Sequence, residues 1–207
     1  MLYILIIALV AILTDQTVKI LVMNLIEEGE EIWIINGLFY LTHEKNSGVA
    51  WSFEFVPGNS TMNLIIQLLI AAVALTVFIF LAVKIKNFKS NEWYGFTIGL
   101  LIGGLIGNVI DRIFYPTHSV TDMIGVMLPY FDKYGLEWYR FPIFNIADSC
   151  LVIGVIMLLI YLIFIEPKKE KMEEKAEDEV INITGKTEEN IEKDSKEDIK
   201  EDNGTDI

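Results

Sequence analysis

Residues 93–114 read WYGFTIGLLIGGLIGNVIDRIF, and the first fifteen of these positions carry no charge. At 1.5 Å of rise per residue the stretch reaches about 33 Å as a helix, enough for a hydrocarbon core of roughly 30 Å. It therefore predicts a membrane span. Gly99, Gly103 and Gly107 recur every four residues and form one ridge of small side chains along which another helix can close. Asn108, Asp111 and Arg112 share a face near the end of the same stretch, where polar groups in lipid are costly and usually functional. One segment thus carries a packing ridge along its length and a polar cluster at one end.

Working outward, three further apolar runs are long enough to cross a bilayer, over about 2–25, 62–83 and 143–165. The fold class expected is an all-α membrane protein with four transmembrane helices. The first run also resembles a cleaved leader, with Ala8-Leu9-Val10-Ala11 as the cut site. However, no Lys or Arg precedes it and the helical pattern continues past Asp15 to Leu25, so it is expected to be retained. Lys84, Lys86 and Lys89 between spans two and three, and Lys168, Lys169 and Lys171 after span four, mark the cytoplasmic side. Both termini are then inside, and the loops over 26–61 and 115–142 are outside.

The first outer loop reads as folded. Ile32–Ile35 and Leu38–Leu41 flank Asn36-Gly37, a strong hairpin signal, and 49–55 is a candidate third strand. A small β-sheet in this loop follows, with Trp33, Tyr40 and Trp51 suited to the membrane interface. The chain has 207 residues, is 53% hydrophobic and carries a net charge of −13. The acidity is concentrated after Pro167, where Glu, Asp and Lys alternate almost without aromatic residues. A four-helix membrane domain over 1–166 and a disordered acidic tail over 167–207 are therefore expected. Such a balance disfavours nucleic acid as a partner. The single cysteine, Cys150, allows no internal disulfide and sits in an apolar run as a small hydrophobe.

Given that orientation, Asp15, Lys19, Asn108, Asp111, Arg112, Asp122, Asn145 and Asp148 all fall toward the outer leaflet. Residues at one depth suggest one site. Asp15 with Lys19, at i and i+4, and Asp111 with Arg112 can also be read as plain ion pairs within their helices. Asp122 and Asp148 have no cation at helical spacing and resist that reading.

In its polar motifs the chain resembles lipoprotein signal peptidase (signal peptidase II). They are Asp15-Gln16-x-x-Lys19, Asn46-x-Gly48-x-Ala50-Trp51, Gly103-Gly104-x-x-Gly107-Asn108-x-x-Asp111-Arg112, Val120-x-Asp122 and Phe144-Asn145-x-Ala147-Asp148. The resemblance covers roughly residues 15–165. It implies a catalytic pair at Asp122 and Asp148, supported by Asp15, Lys19, Asn46, Gly104, Asn108, Arg112, Asn145 and Ala147. It further implies cleavage of a signal peptide just before a cysteine carrying diacylglycerol, in the bacterial cytoplasmic membrane. Diacylglyceryl prolipoproteins and membrane lipids are then the partners, with the enzyme acting as a monomer. The loop between the two aspartates, with Tyr130, Phe131, Trp138 and Tyr139, is longer than the resemblance leads one to expect. Gly125 and Gly135 give it local freedom, and the loop is read either as a mobile flap or as a static interfacial anchor.

Two carboxyl groups sharing one proton can activate water, polarise a carbonyl and protonate a leaving amine without a cofactor. His43 and His118 form no His-Glu-x-x-His motif, which disfavours a zinc peptidase. A serine–lysine peptidase built on Lys19 with Ser47, Ser52 or Ser149 lacks any pairing of the two groups. A transporter would require alternating access, and the four spans show no internal repeat. A non-enzymatic assembly factor has no use for two unpaired aspartates.

Overall fold

The computed structural model of the protein describes residues 2–48, 55–84, 92–132 and 135–165. The chain divides into two compact units, Met1–Leu158 and Leu159–Ile207. Of the second unit, the described residues are 159–165, a helix end that finishes in a π-helical turn at Tyr161–Ile165. The tail expected over 167–207 and most of the candidate strand over 49–55 lie outside the described residues, as does Trp51.

Among the described residues, four helices have the length and apolarity of membrane spans. They are α1 (Leu2–Leu25), α2 (Ser60–Lys84), α3 (Glu92–Phe114) and α4 (Ile146–Ile160), the last reaching span length with the turn that follows to Ile165. The glycine ridge of α3 faces α1. A Cβ on Gly99 would lie 2.6 Å from Ile7 Cβ, and one on Gly103 would lie 2.7 Å from Ala11 Cβ. Only hydrogens there allow the two backbones to approach this closely. Gly104 faces the other way, where a Cβ would meet the Ala147 carbonyl oxygen at 2.5 Å, so α3 is also seated against the first turn of α4.

The sheet is larger than the sequence suggested. It is antiparallel and four-stranded, in the order β1 (Glu31–Ile35), β2 (Phe39–Asn46), β3 (Val120–Asp132), β4 (Gly135–Phe144). The first hairpin forms as expected, with Trp33 opposite Tyr40 and the turn closed by Leu38 N donating to Ile35 O at 3.0 Å. Gly37 in that turn has φ +72°, a conformation that favours glycine. The other half of the sheet comes from the loop between α3 and α4. Over its described length that loop is a second hairpin, in which β3 pairs with β2 and β4 with β3. Span four correspondingly begins at Ile146, because Ile143 and Phe144 belong to β4.

Two side chains are corrected by this arrangement. Tyr40, expected at the interface, is 1% exposed. It stacks on Trp33 with ring centroids 4.8 Å apart, and the Arg140 guanidinium lies 5.4 Å from the ring centre. Arg140 also pairs with Glu31. Gly125 does not supply freedom; it is the floor beneath the Tyr40 ring, and any Cβ there would collide with it. Gly125→Ala should therefore destabilise the protein by about 1–3 kcal/mol through overpacking. A thermal midpoint unchanged from wild type would show that Tyr40 repacks freely. Below the sheet, Val22 and Ile26 pack on Met123 with Val18, Leu41 and Ile124, fixing the end of α1 to β2 and β3.

Candidate active site

Asp148 is held by the way α4 begins. Asn145 is the cap: its Oδ1 accepts from Asp148 N at 2.9 Å, while Asp148 Oδ2 accepts from Asn145 N at 3.2 Å. This reciprocal capping box satisfies two backbone donors and fixes both side chains. It leaves the Asn145 Nδ2 hydrogens to donate outward, to Asp122 Oδ1 at 2.6 Å and to Asn108 Oδ1 at 3.1 Å. The remaining carboxylate oxygens are also met, Asp148 Oδ1 by Asn108 Nδ2 at 2.7 Å and Asp122 Oδ2 by Asn46 Nδ2 at 2.9 Å. Asn145 thus bridges the two aspartates, one from β3 and one from α4.

The amide orientations follow from a cation that can only donate. Lys19 Nζ donates to Asn108 Oδ1 at 3.2 Å, which turns the Asn108 NH₂ toward Asp148. Lys19 lies 2.9 Å from both Asp15 Oδ2 and Asp111 Oδ2, and all three side chains are 0% exposed. This cluster reaches the backbone just ahead of each central aspartate. Asp15 Oδ1 accepts from Ala147 N at 2.9 Å, and Asp111 Oδ2 accepts from Thr121 N at 3.2 Å. A Cβ on Gly107 would lie 2.8 Å from Asp15 Oδ2, so this glycine makes room for the cluster.

The ten residues implied by the resemblance, with Asp111 as an eleventh, are therefore brought together, Gly104 by packing on Ala147 and Arg112 by its bond to Asn108 O. The Asp15–Lys19 pair exists within α1, but the reading of Asp111 with Arg112 as a pair is not what forms. Adjacent positions on a helix point apart. Asp111 goes to Lys19, and Arg112 donates to three neutral acceptors: Gln67 Oε1 at 2.6 Å, Gly48 O at 2.9 Å and Asn108 O at 3.2 Å. His43 and His118 each donate through Nδ1 to a backbone carbonyl, of Ile26 and Arg112 respectively. Gln16 and Gln67 had not been singled out as site residues. Gln16 Nε2 donates to Asp111 Oδ1 at 2.8 Å, and Gln67 Nε2 donates to Ser47 O at 2.8 Å. Their signal was an amide inside an apolar span, weaker than a charge but of the same kind.

Asp122 is 2% exposed. Burial raises its carboxyl, the nearby Asp148 carboxylate raises it further, and the Asn46 and Asn145 amides with Lys19 pull back, leaving it at about 6. Two carboxyl groups in one site, one able to keep a proton near neutral pH, can act as acid and base together. Beside them lies a mainly apolar cavity of about 640 Å³ between α2, α3, α4 and β4. Asn108, Arg112 and Asp148 line it together with Ile70, Leu105 and Phe141.

Residues 7–164 match the protein family described as Signal peptidase (SPase) II. A lipoprotein signal peptidase of Geobacillus kaustophilus (strain HTA426) is 34% identical over 159 residues, 76% of this chain and 91% of that protein. Two solved structures of a bacterial membrane enzyme, determined by the in meso method at 2.3 Å and 1.9 Å, are similar at 30% identity and a TM-score of 0.62. They cover 77% and 78% of this chain, and 86% and 93% of their own.

Proposed function

Because the chain belongs to the signal peptidase II family, bacterial multi-pass membrane proteases of lipoprotein maturation, we propose that Asp122 and Asp148 are its catalytic pair. The proposed substrate is a prolipoprotein whose cysteine carries diacylglycerol, cut at the bond just before that cysteine. The observation that carries this reading is the Asn145 bridge between Asp122 and Asp148, the latter lining a mainly apolar cavity.

The chemistry is that of an aspartic endopeptidase. The pair holds one proton, kept by burial of Asp122 and by its repulsion from the Asp148 carboxylate. The ionised carboxylate takes a proton from water as the water attacks the scissile carbonyl. The protonated partner hydrogen-bonds the carbonyl oxygen as it gains charge, and the proton then passes to the leaving amine. Asn108, Asn145 and Asn46 hold the carboxyl oxygens in place throughout, so little reorganisation accompanies the reaction. All of these side chains come from one chain, so the proposed site needs no residue from a second copy.

In this reading the sheet lies at the outer membrane face, both termini are cytoplasmic, and the acyl chains hold the scissile bond at the depth of the aspartates. Binding energy from the remote anchor is then used to position the peptide. A lipidated precursor should be cut at least about tenfold faster in detergent than the same precursor without lipid, because an unanchored peptide loses that positioning. Equal rates would point to a general peptidase, and no cleavage of either, with ion flux instead, to a transporter.

A further inference from the structure

Gln67 on α2 is buried and bonds in two directions. Its Oε1 accepts from Arg112 Nε at 2.6 Å, and its Nε2 donates to the Ser47 carbonyl at 2.8 Å. Arg112 Nη2 takes the next carbonyl, that of Gly48, at 2.9 Å. Two side chains bonded to each other therefore hold two successive carbonyls of the turn after β2. The same turn is closed from within, Gly48 N donating to Asn46 Oδ1 at 3.0 Å. That bond decides which way the Asn46 amide faces. Its oxygen is committed to the turn, so its NH₂ is delivered to Asp122 Oδ2 at 2.9 Å.

We propose that Gln67 is a positioning residue for the reaction, which through Arg112 and the Ser47–Gly48 turn sets the Asn46 amide on Asp122. The inference rests on the reading of Asp122 as catalytic. The Gln67 amide accepts at one atom and donates at the other across this gap. Glu accepts but cannot donate, Leu does neither, and Asn is one methylene too short. Glu would also add a charge directly against Arg112, whose cation otherwise faces Asp122, Asp148 and Asp111 without a carboxylate at bonding distance among the described residues.

The consequence is read on Asp122 itself. The Asn46 bond favours the ionised carboxylate, so losing it raises the pH at which Asp122 ionises. The other groups acting on Asp122 are Asp148 from α4, Lys19 from α1 and Arg112 from α3, with Glu44 opposite it on β2. The test is the titration of Asp122, taken as the infrared carboxyl band lost in Asp122→Asn, in the full chain and in Gln67→Leu, Asn46→Ala and the double variant. Gln67→Leu and Asn46→Ala should each move the midpoint up by about one unit, and the double variant no further. The alkaline limb of kcat should move up with it while KM changes little. An unmoved midpoint in Gln67→Leu, or shifts that add in the double variant, would overturn the inference. If Gln67→Leu does not fold, Gln67→Met serves, since it keeps the length, adds no charge and removes both bonds. Failure of the aspartyl reading shows separately, as cleavage retained in Asp122→Asn, and leaves the titration result to be judged alone.

Discussion

Asp122→Asn and Asp148→Asn should each lower cleavage by about a thousandfold or more, since an amide cannot exchange the proton on which general acid–base catalysis depends. Both proteins should remain folded and membrane-inserted. For Asp122 there is a second, independent sign. Its folded value of about 6 exceeds the ordinary carboxyl value of about 4, so the fold holds the proton more tightly than the unfolded chain. The contribution of Asp122 to stability therefore falls as pH rises through that window. Asn carries no such penalty. The thermal midpoint of Asp122→Asn relative to wild type should rise between about pH 4 and pH 7, by an amount equivalent to at most about 3 kcal/mol. Near wild-type turnover in either purified variant would remove the proposed mechanism. A relative midpoint that stayed flat with pH would show that Asp122 is not held protonated by its surroundings.

The largest loss of stability is expected at Lys19. Its ammonium lies between Asp15 and Asp111 with no exposure of any of the three side chains. Lys19→Met keeps the length and removes the charge, leaving two buried carboxylates without their cation. Breaking a buried pair in this way typically costs about 3–5 kcal/mol. The remaining carboxylates can escape only by taking up protons or admitting water, and either change pulls at Ala147 N and Thr121 N. Asn108 also loses the donor that orients it toward Asp148. Lys19→Met should thus be both less stable and slower. Adding Asp15→Asn and Asp111→Asn should recover stability without recovering activity. A single variant as stable as wild type in detergent would show that the cluster is not what holds α1, α3 and α4 together.

The four spans were legible because crossing hydrocarbon demands a long uninterrupted apolar run, and such runs were plain at 93–114 and around Ala72. The first hairpin was legible from Asn36-Gly37. The second was not. In Val120–Asp132 a proline and a glycine interrupt the alternation, and its partner over Gly135–Phe144 merges into the apolar start of span four. Its role as sheet depends on β2, eighty residues earlier, which no local pattern records. The polar site was legible in membership, since charges and amides in spans stand out, but its wiring was not. Helical spacing suggested Asp111 with Arg112. Tertiary approach instead gave Asp111 to Lys19 and gave Arg112 to Gln67 and a backbone carbonyl.

That exchange of partners bears on how the chain enters the bilayer. Within α1 the charged residues are one Asp and one Lys, and the polar end of α3 likewise brings one Asp and one Arg. Each helix is neutral there on its own, so each can be delivered into lipid during synthesis without a net charge to shield, where an unmatched ion at the bilayer centre costs about 2.5–3.5 kcal/mol or more. With α3 along α1, Lys19 donates to Asp111 as well as to Asp15, and Arg112 is held by Gln67 of α2. The span that arrives last, α4, is the one that brings a lone carboxyl group, Asp148. Until it is made, the growing chain holds one member of the proposed pair and no partner for it, so a protease that handles membrane-embedded leaders has no working site while its own first helix is still being threaded.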